Sequence, residues 1–368
     1  MKTNAIGIIS ASYKTEDFGP LTNKRPVASL PFAGRYRLVD FPLSNMANSG
    51  ITTVGIVTPH YYRSILDHVG IGKPWGLARN TGGLFLLPGT IYGTREVGSR
   101  FLLKDLMRNR TFLERASEDY VIFADSSKVM NMDLAPLIRT HAETGLDVTM
   151  LYVKTDNHKG GQYLTIDETS GEVTNLTDAD RATDNRFLDC FVTSKEFLIS
   201  LIDWYGSRST MDLTDIFKLN IRRYSIGSYE YKNYVGIISD INDYLKVNRD
   251  VLDQDIRKEL FGNPERPIIT KVLDAPPTQY EKDADVTNSL VSSGCIIEGT
   301  VENSILFRNV RIMPGAVVKN SIIMQHATIE KDAYVDNAIC DKYVLVSEGV
   351  HLAGGKSGPL IARKGEHI

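Results

Sequence analysis

Between Ile8 and Phe18 the chain has no glycine. The gap matters because "AIGIIS" (5–10) reads as a short buried strand near the start of an α/β chain. The turn after such a strand usually binds phosphate, and it needs glycines for close backbone approach and a cation to neutralise the anion. Here it carries Glu16 and Asp17. Cysteine is scarce too: Cys190, Cys295 and Cys340 stand alone, without any Cys-x-x-Cys spacing, and read as buried reduced thiols. No apolar run is long enough to span a bilayer. "MKTNAIGIIS" lacks the long apolar stretch of a signal peptide, so the expected location is the cytoplasm. With a net charge of −3, neither nucleic acid nor an anionic membrane is expected as a partner.

What is present divides into two grammars. At 368 residues the chain is too long for one typical core, and two domains are expected. Up to about residue 253, short β-rich apolar runs alternate with helical patterns. "AIGIIS", "ITTVGIVT" (51–58), "DYVIFAD" (119–125) and "DVTMLYV" (147–153) read as buried strands. "RSILDHV" and "RFLLKDLMRNRTFLERA" read as helices. Such alternation predicts an α/β domain with a mostly parallel sheet, covered on both faces, over 1–253. Ligands of such sheets bind at the carboxyl ends of the strands, which draws attention to the 10–18 loop and to Asp125.

Residues 254–287 are charged and contain Pro264, Pro267, Pro276 and Pro277, as a surface linker would. From 288 to 368 a short-period repeat takes over. Ile312, Val318, Ile323, Ile329 and Val335 recur at steps of six, five, six and six, while Ala316, Ser321, Ala327, Ala333 and Ala338 keep pace. Two registers repeating together predict a left-handed parallel β-helix of hexapeptide repeats, whose open end and flat faces invite oligomerisation. A simple hexapeptide acyltransferase would not need the long α/β domain in front. His326 is expected to be an outward-facing polar residue on a coil, and "RRYSIGSYEYKNY" (222–234) a sheet edge.

The stretch "LTNKRPVASLPFAGRYRLVDFPLSNMANSGI" (21–51) resembles the ADP-glucose pyrophosphorylase (glucose-1-phosphate adenylyltransferase) family. The likeness continues through "YYRSILDHVGIGKPW", "YGT" (92–94), "MDLTDIF" (211–217), "SLVSSGCII" and "CDKYVLVSEGV", in the same order over nearly the whole chain. The resemblance implies a Rossmann-like, GT-A-like nucleotidyltransferase domain. It also implies the chemistry of glycogen synthesis, in which a glucose-1-phosphate oxygen attacks the α-phosphate of ATP and pyrophosphate leaves. That chemistry rests on positioning and charge neutralisation.

The family pattern also names what has gone. Lys14 stands where the first arginine of the glycine loop belongs and Asp17 where the second does. Val27 takes the place of the lysine, and Tyr234, before Val235-Gly236, that of the second metal carboxylate. No Glu-Lys-Pro-like sugar-phosphate segment is found; the nearest region is "EVTNLTDADR" (172–181). Asp125 remains as a candidate ligand for Mg²⁺, the one cofactor the resemblance implies if nucleotide still binds; equally it is a turn or cap former. Gly93 and Thr94 keep part of a nucleotide-contact segment. Arg37, Asp40 and Asn45 look intact, with Arg37 and Asp40 read as a bracing ion pair.

A carboxylate about 5 Å from a phosphate charge costs roughly 3 kcal/mol at an effective dielectric near 20. Losing even one stabilising donor costs about a hundredfold in rate or more. The expectation is therefore a crippled site on an intact scaffold, as in the regulatory, GlgD-type branch of the family. That branch pairs with a catalytic paralogue in a hetero-oligomer and shifts its activity or its response to a small-molecule effector. Two alternatives stay open: an active transferase using Lys14 and a single carboxylate, and a homo-oligomer that senses a sugar phosphate.

Overall fold

Strands and helices alternate in the first part of the chain, as the apolar pattern predicts. A computed structural model gives the fold and describes residues 3–11, 16–58, 61–89, 101–179, 183–206 and 211–368. In chain order the strands are β1 (Ala5–Ser10), the short hairpin β2 (Pro31–Phe32) and β3 (Tyr36–Arg37), β4 (Thr53–Thr58), β5 (Gly83–Pro88) and β6 (Tyr120–Asp125). They continue with β7 (Lys128–Val129), β8 (Val148–Lys154), β9 (Gln162–Ile166), β10 (Val173–Asp178), β11 (Asn185–Ser194), β12 (Ile226–Glu230) and β13 (Gly236–Ile237). The helices are α1 (Asp40–Asn48), α2 (Arg63–Val69), α3 (Leu103–Arg108), α4 (Arg110–Arg115), α5 (Ala135–Thr144), α6 (Lys195–Tyr205), α7 (Leu213–Leu219), α8 (Ile241–Asp250) and α9 (Gln254–Phe261).

Among the described residues one sheet runs β10-β9-β11-β6-β1-β4-β5, with β8 and β12 branching from β11. Its centre, β5-β4-β1-β6, is parallel, so the carboxyl ends of these four strands open on one side. Beyond β6 the sheet turns antiparallel at β11. β1 is buried along its whole length and α1 lies directly on it. Gly7 permits this: a Cβ there would stand 2.3 Å from the Met46 sulfur. β12 pairs with β8 in parallel at the border of the sheet, with one bridge from Glu172 to Gly227.

The repeat builds three five-stranded parallel sheets wound into a β-helix. Ile297, Ile312, Ile329 and Val346 stack in one sheet, Val301, Val318, Val335 and Leu352 in the next, and Leu306, Ile323 and Cys340 in the third. Each step of five or six residues thus crosses to the next sheet. Asn303, Asn320 and Asn337, with φ of 50°, 49° and 46°, turn successive coils at one corner; asparagine tolerates that left-handed backbone better than most residues. His326 is exposed at another such corner, its ring stacked on Tyr343 with centroids 4.9 Å apart. All three cysteines are free and buried, and burial pushes the Cys190 and Cys340 thiols up to about 12.

The segment 254–287, expected as a linker, holds α9 and the first strands of the coil, which begin at Gln279–Tyr280. Its prolines do not prevent this, because each coil strand is only two or three residues long. The β-helix also shares a core with the α/β part: Ile305, Phe307, Ile322, Met324 and Ile339 pack with Phe18, Leu21, Val27, Phe41 and Tyr244.

Candidate functional site

The carboxyl ends of β1, β4 and β6 frame the crevice in which sheets of this kind hold ligands. Lys14, Gly93 and Thr94 lie outside the described residues. Asp17 is exposed at the start of the 3-10 segment Glu16–Thr22. Val27 is fully buried in the core shared with the β-helix, and an ammonium there would be stranded away from water. Tyr234 turns toward α8: its hydroxyl donates to Asp250 Oδ2 at 3.1 Å and its backbone N–H to the Glu259 carboxylate. Burial, and then the Asp250 charge, push its phenol pKa up. The position offers no carboxylate.

Asp125 ends β6 and is 2% exposed. Its Oδ2 accepts from the Ser127 N–H at 2.9 Å and from the Ser127 hydroxyl. The decisive neighbour is Lys128. Its side chain is 3% exposed, and its Nζ lies 3.5 Å from Asp125 Oδ2 and 2.8 Å from Asp189 Oδ2. Lys128 belongs to β7, which is held antiparallel to β13 through Ile237 and Gly236; the segment just after Tyr234 thus fixes the lysine. Asp189 comes from β11, at an irregularity where its φ is +52°.

This donor set does not fit Mg²⁺. A dication within about 5 Å of the Lys128 ammonium would meet roughly 7 kcal/mol of repulsion at an effective dielectric near 20. Among the described residues no group of three or more His, Cys, Asp or Glu stands ready to hold a metal. The internal ammonium itself answers the two carboxylates. Lys128 and Asp189 are not among the residues the sequence reading singled out. The signal was there: "FADSSKVM" and "FLDCFVTS" each place a charge inside an apolar run, and buried charges need partners.

The expected Arg37–Asp40 side-chain ion pair is corrected. Asp40 Oδ2 accepts from the Arg37 backbone N–H at 2.9 Å, and its Oδ1 lies 2.6 Å from His68 Nε2. The Arg37 guanidinium reaches the Ser64 carbonyl instead. His68, four residues past that serine, wins the carboxylate because α2 sets its ring over the α1 start. Asn45 is built in, donating to the Met130 carbonyl at 3.0 Å and accepting from the Met132 N–H at 3.2 Å.

Cations also crowd the junction with the β-helix. Arg25 Nη2 pairs with Asp341 Oδ2 at 2.9 Å, both side chains buried. Next to it Lys342 is pushed down to about 8, first by burial and then by the charges of Arg37 and Arg25. Farther along the same coil face, Arg308 Nε and Gln325 Oε1 are buried without hydrogen-bond partners among the described residues.

Comparison with known proteins fits this architecture. Residues 7–178 match the nucleotidyl transferase family and residues 276–356 the GlmU-like C-terminal hexapeptide family. The glycogen biosynthesis protein GlgD of Geobacillus stearothermophilus is 37% identical, over 99% of this chain and 97% of its own length. That of Bacillus subtilis (strain 168) is 34% identical over 98% and 96%. The chain belongs to the GlgD family. A glucose-1-phosphate adenylyltransferase of Halalkalibacterium halodurans is 29% identical over 85% of the chain and 83% of its own length. This chain therefore shares the nucleotidyl transferase scaffold, and in it a lysine stands beside Asp125. No helix among the described residues is long and apolar enough to cross a membrane.

Proposed function

We propose that this chain is a regulatory, catalytically inactive subunit of a glucose-1-phosphate adenylyltransferase in glycogen synthesis. It would assemble with a catalytic paralogue as a hetero-oligomer, in the cytoplasm. The observation that carries the reading is Lys128 between Asp125 and Asp189: an ammonium takes the electrostatic place of a divalent metal. Tyr234 and Val27 support it, since neither position offers charge to a nucleotide. The crowded cations around Lys342 support the effector part of the reading, because an anion there would relieve their mutual repulsion.

A regulatory subunit raises its partner's activity only by binding the active conformation better than the inactive one. The test is ADP-glucose formation by the purified chain, by the paralogue, and by the two mixed. A silent chain whose addition speeds the paralogue or shifts its effector response is the expected result. Turnover by the chain alone at a rate ordinary for enzymes, ~1–10³ s⁻¹, would sink the reading.

A further inference from the structure

The sheet ends at β5, which among the described residues pairs with β4 alone. Beside that edge lies a cavity of about 460 Å³, reaching from the starts of β4 and β5 to the ends of α3 and α4. It shares no lining residue with the crevice around Asp125 and Lys128. Its floor is apolar and built into the fold. A Cβ on Gly55 of β4 would stand 2.5 Å from Leu87 Cδ1 and 3.1 Å from Phe112 Cζ, so both side chains lie directly on the strand. Phe85 meets the Phe112 ring edge to face, with centroids 5.4 Å apart, yet stays 43% exposed. The rim is basic. Arg108 ends α3 and Arg115 ends α4. Arg110, between them in sequence, takes the nearby acids, Glu114 at 2.7 Å and Asp203. Arg108 and Arg115 make no ion pair among the described residues. The one carboxylate of the lining, Glu118, accepts from the Ser117 hydroxyl at 3.3 Å.

A half-open aromatic floor beside two guanidinium groups selects a ligand with two parts, one flat and apolar, the other anionic. We infer that the cavity binds a small aromatic carboxylate, its ring on Phe85 and its carboxylate at Arg108 and Arg115. An edge-to-face pair leaves ring faces open to a third ring. A guanidinium fork matches a carboxylate in bidentate fashion. Two guanidinium groups against Glu118 leave a formal surplus of one positive charge in the lining. That surplus suits a carboxylate better than the charge of about −2 on a phosphate monoester. The volume falls within the ~300–1,000 Å³ usual for small-molecule sites. β4 runs from this cavity, at Thr53, to the crevice at its carboxyl end, Thr58. A ligand here and the crevice thus meet opposite ends of one strand.

The inference does not depend on the regulatory reading, because it is tested on the full chain alone. Equilibrium dialysis with radiolabelled indole-3-acetate as the probe is run on the wild type, Phe85→Ala, the double variant Arg108→Gln/Arg115→Gln and, as a control on the first coil strand, Tyr280→Ala. All four side chains are exposed, so the variants should fold. The expected result is one probe molecule per chain, bound roughly tenfold or more weakly by Phe85→Ala and by the double variant. Tyr280→Ala leaves binding unchanged. Indole, which lacks the carboxylate, and acetate, which lacks the ring, each compete about tenfold less well than the probe. No saturable binding at millimolar probe, or binding that neither cavity variant weakens, overturns the assignment. Stronger competition by adenosine monophosphate than by unlabelled probe overturns the choice of a carboxylate. A lower particle mass of Phe85→Ala in analytical ultracentrifugation would make the cavity a contact between copies of this chain, and would overturn the assignment too.

Discussion

Replacing Lys128 with methionine removes the ammonium but keeps much of the apolar stem. Nζ sits 2.8 Å from Asp189 Oδ2 and 3.5 Å from Asp125 Oδ2. At an effective dielectric of about 20 these contacts are worth roughly 6 and 5 kcal/mol of gross attraction. Most of that offsets the desolvation of three buried charges. What the substitution leaves is two buried carboxylates facing each other, and breaking a buried pair in this way typically costs about 3–5 kcal/mol. The assay is urea unfolding, read as a shift in midpoint at constant slope. Lys128→Met/Asp189→Asn should recover part of the loss, because only one carboxylate then remains. Millimolar Mg²⁺ should stabilise Lys128→Met, by mass action on two carboxylates that no longer face an ammonium, and leave the wild type unmoved. If Lys128→Met unfolds within 1 kcal/mol of the wild type, or if Mg²⁺ stabilises the wild type as much as the variant, the account of the site is wrong.

Three further outcomes follow from charges elsewhere. His141 is buried, shares a hydrogen bond with Thr149 Oγ1, and burial holds it down at about 4, against 6.5 in the unfolded chain. The unfolded state thus binds the proton first. Stability should fall by at most about 3 kcal/mol as pH drops from 6.5 to 4, and His141→Gln should flatten that limb in thermal melts. Arg25→Met strands Asp341 at the junction with the β-helix, but Asp341 keeps the Lys342 N–H at 2.8 Å. A loss of about 2–4 kcal/mol is expected, below that of a wholly orphaned charge, with faster proteolysis between 262 and 278. An unchanged midpoint would remove Arg25 from the junction's energetics. Lys342, held at about 8 against an ordinary 10.5, should add stability as pH rises between those values. Its partial exposure limits the gain to about 1 kcal/mol, and Lys342→Gln should show that gain already at pH 7.

The strands of the α/β part were legible because buried parallel strands are continuous apolar runs, and 5–10, 53–58, 120–125 and 148–154 are such runs. The β-helix was legible because its period is written twice, in the aliphatic and in the small residues. Individual pairings were harder to read. Asp40 had two candidate partners, Arg37 nearby in sequence and His68 at a distance; only the placing of α2 beside α1 decides between them. Lys128 escaped notice for a related reason. Its meaning lies in Asp189, 61 residues on along the chain and on another strand, and no local pattern joins the two.

Lys128 also bears on what the scaffold would do in the proposed regulatory role. A site that neutralises nucleotide with mobile ligands has at least two electrostatic states, filled and empty, and its surroundings differ between them. Here the counter-ion is covalent, buried, and strung between β6, β7 and β11. The counter-ion of Asp125 and Asp189 therefore stays in place whatever the nucleotide concentration. In the proposed regulatory role, a subunit fixed in this way would present the same surface to its partner at all times, and its preference for one partner conformation would be a constant bias. In that role only a ligand bound elsewhere on the chain would modulate the bias.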